Sequence, residues 1–542
     1  MIELTVGEVA VAVGGRLHRC RGTEKITGSV EFDSRRVGPG GLFVALPGER
    51  VDGHAFAAAA VRSGATAVLA AREVDAPSII VPPIAVPSIT APSITAPSMT
   101  APVMTTPSMT TPAAGASPAG AYVLAGDTDG SGAAVLAALA ALARTVVDRL
   151  TAGRGQGAPG LTVIGITGSA GKTSTKDLVA ALLRPLGSTV APPGSFNNEL
   201  GHPWTVLRAG AATRHLVLEL SARGPGHIAA LCRAAPPRIG VVLNVGSAHL
   251  GEFGSREAIA MAKGELVEAL PPDGVAVLNA DDPAVAAMAA RTAARTVLVG
   301  RSARAQIRAE GVSVDASGRA RFRLVTPDGQ APVLLGVHGE HQVGNALAAA
   351  ATALQLGAAL PAVAAGLTAA TPVSRWRMEV TQRPDGLTVI NDAYNANPES
   401  VLAALRTLVA MTAGSRGANA GGANAAGVAG GGRGWAVLGP IAELGAAADA
   451  AHEEIGRAAA RLGVHRLLAV GAQAHAVHHG ARREGLTGEE SVLVPDVEAA
   501  IALLRDELRP GDVVLVKASR AFGLERVADA LLADPAGEGA GA

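Results

Sequence analysis

The stretch that most restricts the fold runs from Leu161 to Leu183. An apolar run, Leu161-Thr-Val-Ile-Gly-Ile166, meets a glycine-rich turn, Thr167-Gly-Ser-Ala-Gly-Lys-Thr173, and then a helical pattern from Ser174 to Leu183. A short apolar run bounded by glycine reads as a strand buried on both faces. Glycines 168 and 171 let the backbone curl so that its N–H groups face an anion, and the helix start adds a partial positive charge. The same apolar spacing recurs at Leu216–Leu220, Ile239–Asn244, Val275–Asn279, Trp435–Gly439, Leu467–Gly471 and Asp512–Lys517, with helical patterns between. Strands alternating with helices imply an α/β class with parallel sheets covered on both faces. Ligands then belong at the carboxyl ends of the strands.

The chain has 542 residues, enough for two to four domains at ~100–200 residues each. Lys+Arg and Asp+Glu are 46 each, so there is no basic surface of the kind a general nucleic-acid binder needs. Aromatics at 2% argue against base-stacking platforms. Cys20 and Cys232 alone build neither a disulfide framework nor a four-cysteine zinc site, and a reducing compartment fits. The first residues, Met1-Ile-Glu-Leu4, lack a basic head followed by an apolar run, so no secretion signal is expected. The run Ala133–Ala143 is interrupted by Arg144 and falls short of the ~20 residues of a membrane span.

Two stretches read as something other than domain core. Between Ala76 and Gly126 there is no charged residue, and a five-residue beat runs through Pro87, Pro92, Pro97, Pro102, Pro107 and Pro112. Proline at that density removes backbone donors, so an extended or disordered insertion is expected there, without helix or central strand. Thr412–Gly434, rich in Gly, Ala and Asn, reads as a flexible loop.

In the glycine-rich turn, Lys172 can reach β/γ-phosphates and the Thr173 hydroxyl can ligate Mg²⁺. The turn is the shorter GxxGK[ST] form, with Ile166 where the longer pattern has glycine. Glu219 ends a strand, His249 follows another, and Lys263 sits in a helical stretch. Singly, each reads as a solvated charge or a packed histidine.

Together with the turn they form a pattern that resembles the Mur ligase family, the ATP-dependent amide ligases of peptidoglycan precursor synthesis. The resemblance extends over Asp33-Ser-Arg35, Gly41 to His54, Asn197-Asn-Glu-Leu-Gly201, Ala222 to Ile228, Asn244 to His249 and His341 to Leu347. It continues through Arg375-Trp-Arg-Met-Glu379, Asn391 to Ser400, Ala442-Glu-Leu-Gly445 and Lys517-Ala-Ser-Arg520. Tyr394–Ser400 together with the Asp52-Gly-His54 segment marks the branch that joins D-alanyl-D-alanine to UDP-MurNAc-tripeptide. The resemblance implies three α/β domains, roughly residues 1–130, 131–374 and 375–535. The first would bind the UDP substrate and carry the insertion, about 76–120. The second would be a P-loop ATPase and the third a Rossmann-like lid, with the flexible loop at about 412–434.

The resemblance also implies roles. Gly168, Ser169, Ala170, Gly171, Lys172, Thr173 and Ser174 would cradle ATP, with Asn345 at adenine and Arg377 reaching ATP from the third domain. Thr173, Glu219, His249 and Lys263, the last as its carbamate, would hold Mg²⁺, and Lys172, Lys263 and His249 would be the catalytic set. Ser34 and Arg35 would lie at the UDP part, and Asn198, Tyr394, Asn395 and Asn397 on the peptide side. ATP would activate the substrate carboxylate as an acyl phosphate, which the amine of D-Ala-D-Ala attacks to give UDP-MurNAc-pentapeptide. A monomer in the cytoplasm is expected, without nucleic acid or membrane span. Two positions depart from the family pattern: Gly439-Pro-Ile441 lacks a carboxylate usual before Ala442-Glu-Leu-Gly445, and Ser221 replaces a glycine two residues after Glu219. The Asp-Asn-Pro-Arg motif of the diaminopimelate-adding branch and the Asn-Lys-x-Asp motif of guanine-binding switches are both missing.

Overall fold

A computed structural model of the chain describes residues 1–48, 51–82, 129–152, 160–247, 250–419 and 432–533. It falls into two compact units, Met1–Thr145 and Val146–Ala542, divided within the helix Ser131–Ala152. In the first unit, β1 (Leu4–Thr5) pairs antiparallel with β3 (Lys25–Ile26). A five-stranded sheet is built from β2 (Arg16–His18), β4 (Val30–Glu31), β5 (Gly41–Val44), β6 (Ala65–Ala70) and β7 (Ser78–Ile80), in the order β2-β7-β6-β5-β4. Phe43, Val68 and Ile80 pack with Ala57 and Ala60 in its core.

Strand β7 corrects the reading of residues from Ala76 onward as unstructured insertion. It lies inside the sheet, antiparallel to β2 and parallel to β6. Pro77 and Pro82 flank it instead of interrupting it, so no ladder N–H is lost, and the Pro77 carbonyl accepts from Val68 N–H at 2.9 Å. The proline repeat from Pro87 to Pro112 lies outside the described residues.

The second unit contains two sheets. Nine strands form the larger: β8 (Thr162–Thr167), β9 (Thr189–Val190), β10 (His215–Glu219), β11 (Ile239–Val242), β12 (Val275–Asn279), β13 (Arg295–Gly300), β14 (Ile307–Val314), β15 (Arg319–Thr326) and β16 (Gly329–His338). Their order is β16-β15-β14-β13-β12-β11-β8-β10-β9. Strands β8 to β14 pair in parallel, as the sequence pattern implies, whereas β14-β15-β16 is an antiparallel meander that the expected all-parallel sheet omits. The helices Lys172–Leu183 and Gln342–Gln355 pack together against the sheet, and buried Ala346 and Ala348–Ala351 allow the close approach.

The smaller sheet comprises β17 (Glu379–Gln382), β18 (Thr388–Asn391), β19 (Gly434–Leu438), β20 (Arg466–Val470), β21 (Ser491–Val494) and β22 (Val513–Lys517). Its order is β17-β18-β22-β19-β20-β21, parallel except for β17. The helix Pro398–Asn419 overruns the start of the loop expected at Thr412. Thr412 is buried and its hydroxyl back-bonds to the Val409 carbonyl at 2.9 Å, so the residue serves the helix. Residues 420–431 of that loop lie outside the described residues. Among the described residues no helix is long and apolar enough to cross a membrane.

Candidate active site

Strand β8 delivers the glycine-rich turn at the carboxyl edge of the larger sheet, between β10 and β11. Gly171 caps the following helix with φ 82°, and a Cβ there would stand 2.4 Å from Asn345 Oδ1, so only glycine fits. Asn244, just after β11, clamps the turn: its side chain accepts from Ala170 N–H at 2.8 Å and donates to the Ala170 carbonyl at 3.1 Å. Its own carbonyl accepts from Ser169 N–H at 3.1 Å, and Ser169 Oγ accepts from Gly246 N–H at 2.9 Å. The turn is thus held from β11 before any anion arrives. Gly168 and Ser174 complete it at the strand and helix ends.

Lys172 donates to the Gly168 carbonyl at 2.6 Å, curling its ammonium over the turn. Burial lowers its pKa to about 8, opposed in part by Glu219. Thr173 Oγ1 donates to Glu219 Oε2 at 3.2 Å, and Asn197 Nδ2 reaches the same oxygen at 3.3 Å. Glu219 closes β10 and is fully buried, against its isolated reading as a solvated charge. Burial pushes its carboxyl above the usual range, and Lys176, Lys172 and Arg377 pull it back. Its second oxygen, Oε1, has no hydrogen-bond partner. A buried orphan carboxylate oxygen beside a threonine hydroxyl suits a hard divalent cation. Among the described residues no cluster of three or more His, Cys, Asp or Glu forms a metal site, so the donors in view are this pair.

Lys263 lies on the helix Arg256–Glu268 and is 5% exposed, again against the solvent-facing reading of a lone helical lysine. Burial holds its pKa well below the ordinary value, with the Lys172 charge adding to the effect. His249 lies outside the described residues.

The C-terminal part of this unit reaches the same place. Arg377 Nη2 lies 3.4 Å from Thr173 Oγ1, and its guanidinium sits 4.2 Å over the Tyr394 ring. Tyr394 shares a short hydrogen bond with Ser195. Asn397 Nδ2 approaches the Ser169 carbonyl at 3.5 Å, and Glu399 accepts from Ser247 N–H and Oγ at 2.8 and 3.0 Å. Asn345 is buried and bonded to Gln342 at 2.8 Å. Asn198 is exposed and accepts from Gly201 N–H at 2.9 Å, just ahead of the helix Gly201–Val206. Asn395 is exposed too, its side chain bonded to Ala396 N–H. Ser34 and Arg35 belong to the first unit, where Arg35 pairs with Asp33 at 2.8 Å.

Sequence reasoning missed Asn244 and Asn197 as clamps, and Lys176, which is 1% exposed and bonded to Asp177 and the Pro192 carbonyl. A lone Asn or Lys carries no local pattern. The usable signal was position, since Asn244 stands at the carboxyl end of a strand.

Known proteins match this arrangement. A Mur ligase middle-domain model fits residues 166–353, a Mur ligase glutamate-ligase-domain model fits 376–520, and a Mur ligase family catalytic-domain model fits 27–111. The chain is 55% identical, over 98% of both sequences, to UDP-N-acetylmuramoyl-tripeptide--D-alanyl-D-alanine ligase of Mycobacterium tuberculosis. Its fold superposes on MurF from Acinetobacter baumannii with a TM-score of 0.76 at 27% identity, covering 98% of this chain and 99% of that one. MurF ligase from Thermotoga maritima, solved in complex with ADP, gives a TM-score of 0.69 at 27% identity, covering 93% and 97%. With a relative 55% identical along nearly its whole length and three family models spread over it, the chain belongs to the Mur ligase family.

Proposed function

We propose that this chain is the ATP-dependent ligase that joins D-alanyl-D-alanine to UDP-MurNAc-tripeptide, giving UDP-MurNAc-pentapeptide for peptidoglycan synthesis. The observation that carries it is the convergence of Lys172, Glu219 and Arg377 around Thr173, on a chain 55% identical to a ligase of that name. In such a reaction a carboxylate, a poor electrophile, becomes an acyl phosphate that the amine can attack.

The residues divide the work by position. Backbone N–H groups of 171–173 would face the phosphates at the helix start, those of Ser169 and Ala170 being held by Asn244. Lys172 and Arg377 supply positive charge where negative charge spreads during transfer. Asn345, packed on Gly171, faces the nucleotide from its own helix. Thr173 and Glu219 would hold Mg²⁺, with His249 and Lys263 assigned beside them. When bound, that ion neutralises charge on the phosphoryl oxygens. Burial disfavours the charged form of Lys263, and the neutral amine is the form that adds to CO₂ with loss of a proton to give a carbamate. Tyr394, Asn395 and Asn397, with Asn198, are assigned to the peptide substrate, and Ser34 and Arg35 to the UDP end. We place the protein in the cytoplasm as a monomer.

The test is product formation. With ATP and Mg²⁺ alone, phosphate release should be slow. Adding UDP-MurNAc-tripeptide and D-Ala-D-Ala together should raise it sharply and yield pentapeptide. UDP-MurNAc-dipeptide with diaminopimelate or lysine should not substitute, since its acceptor carboxylate stops one residue short, up to ~3.6 Å of chain. A misplacement of ~1 Å already costs ~10²-fold. Turnover only with the dipeptide pair would move the chain to the preceding ligation step.

A further inference from the structure

Two bulky residues, Trp376 and Met378, hold left-handed backbone, with φ of 58° and 51°. That region is disfavoured for any residue with a Cβ, so something outside the segment must hold it there. Between them stands Arg377, the residue that reaches Thr173. Both flanks are tied to the turn that follows β18. Tyr394 N–H donates to the Trp376 carbonyl at 3.2 Å, and Met378 N–H donates to Asp392 Oδ1 at 3.0 Å. The other Asp392 oxygen takes the Lys517 ammonium at 2.5 Å. Lys517 ends β22, the strand beside β18, and is 2% exposed. Its remaining contacts are the carbonyls of Asn395 at 3.0 Å and Asp392 at 3.4 Å. A buried ammonium is stable only when its donors are met, and here, among the described residues, its hydrogen-bond partners all lie in the turn that grips residues 376–378. Arg520, 4.1 Å over the Trp376 ring, and Arg375, 5.2 Å from it, act on that ring and do not reach the Met378 backbone bond.

We propose that Lys517 is a positioning residue: by fixing Asp392 and Asn395 it keeps Trp376 and Met378 left-handed, so that Arg377 between them points into the phosphate loop. The inference rests on the reading of Arg377 as an ATP-contacting residue, and the experiment separates the two. Lys517→Met, Arg377→Ala and the double variant are compared for turnover, ATP KM and melting temperature. Arg377→Ala should lower turnover at least ~10²-fold, as loss of a transition-state arginine does. Lys517→Met should lower it on the order of 10²-fold, through misplacement of that arginine. The double variant should then fall no more than about threefold below Arg377→Ala, because residues acting through one group are not additive. If the two losses instead multiply, Lys517 does not act through Arg377 and the inference is overturned. Near-normal turnover in Arg377→Ala would overturn the reading of Arg377, and this inference with it. Should Lys517→Met not fold, Asp392→Asn, which keeps an oxygen for Met378 N–H while weakening the hold on Lys517, takes its place in the same cycle and is judged by the same two outcomes.

Discussion

The nine-stranded sheet has two unlike halves. Its parallel half, β8 to β13, is built of short strands, of which the central β8, β10 and β11 are almost wholly buried. Its meander half, β14 to β16, alternates: on β15, Ala320, Phe322, Leu324 and Thr326 face inward while Arg321 and Arg323 are exposed. The parallel half carries the turn, Glu219 and Asn244 at its carboxyl edge. The meander carries none of the site residues and contributes Phe322, Leu324, Val333 and Leu335 to the core beneath them. The lesson is a division of labour: parallel strands bring several carboxyl ends to one edge, where helix starts and side chains can converge on a ligand, whereas an antiparallel meander sends alternate ends to opposite edges and is suited to closing a core.

Three variants would break or sharpen that contrast. Lys172→Met in the parallel half removes a charge from the developing phosphoryl transition state, and turnover should fall on the order of 10³-fold or more in a steady-state phosphate-release assay. The same variant should melt higher than the parent at neutral pH. Burial lowers the folded-state pKa of Lys172 to about 8 from the usual 10.5, so the folded form binds that proton more weakly than the unfolded form. The cost is full below pH 8 and is relieved as pH rises from 8 towards 10.5, so the difference in melting temperature should shrink across that window. A variant that melts lower at pH 7 would show that Lys172 is not held against its charge.

Next comes Phe322→Ala in the meander, which should cost about 3–5 kcal/mol of stability in denaturant unfolding, as core aromatic truncations do. Turnover of the protein that remains folded should be close to the parent's. A selective loss of turnover would mean that the meander shapes the site after all. The smallest effect belongs to its neighbour: Arg321→Ala points outward and should stay within about 0.5 kcal/mol of the parent, so the pair measures how strictly the alternation separates core from surface.

Legibility followed the same split. Strands at Ile239, Val275, Trp435, Leu467 and Asp512 show as unbroken apolar runs and appear where the pattern puts them, within a residue or two. The meander was missed because arginines fill its outer face, so Arg319-Ala-Arg-Phe-Arg-Leu324 reads as a charged stretch unless its period of two is followed. Strand β7 was missed because its three residues sit among prolines. The helical start of the glycine-rich loop was missed because composition over Thr412–Gly434 outweighed the good helix formers just before it.

By itself the sequence determined what is written in contiguous residues: the α/β class, the strand–turn–helix unit at 162–183, and the glycines that let its turn curl. Only the tertiary structure decided which distant groups meet. It turned Glu219 and Lys263 from nominal surface charges into buried ones, by placing β10 inside the sheet and the helix of Lys263 against it. It brought Arg377 to Thr173 across 204 positions and Lys517 to Asp392 across 125. The physical reason is that a strand's sequence encodes which faces are buried, while its neighbour is chosen by the register and crossover of the whole sheet, and burial and partners together set the charge state of each group.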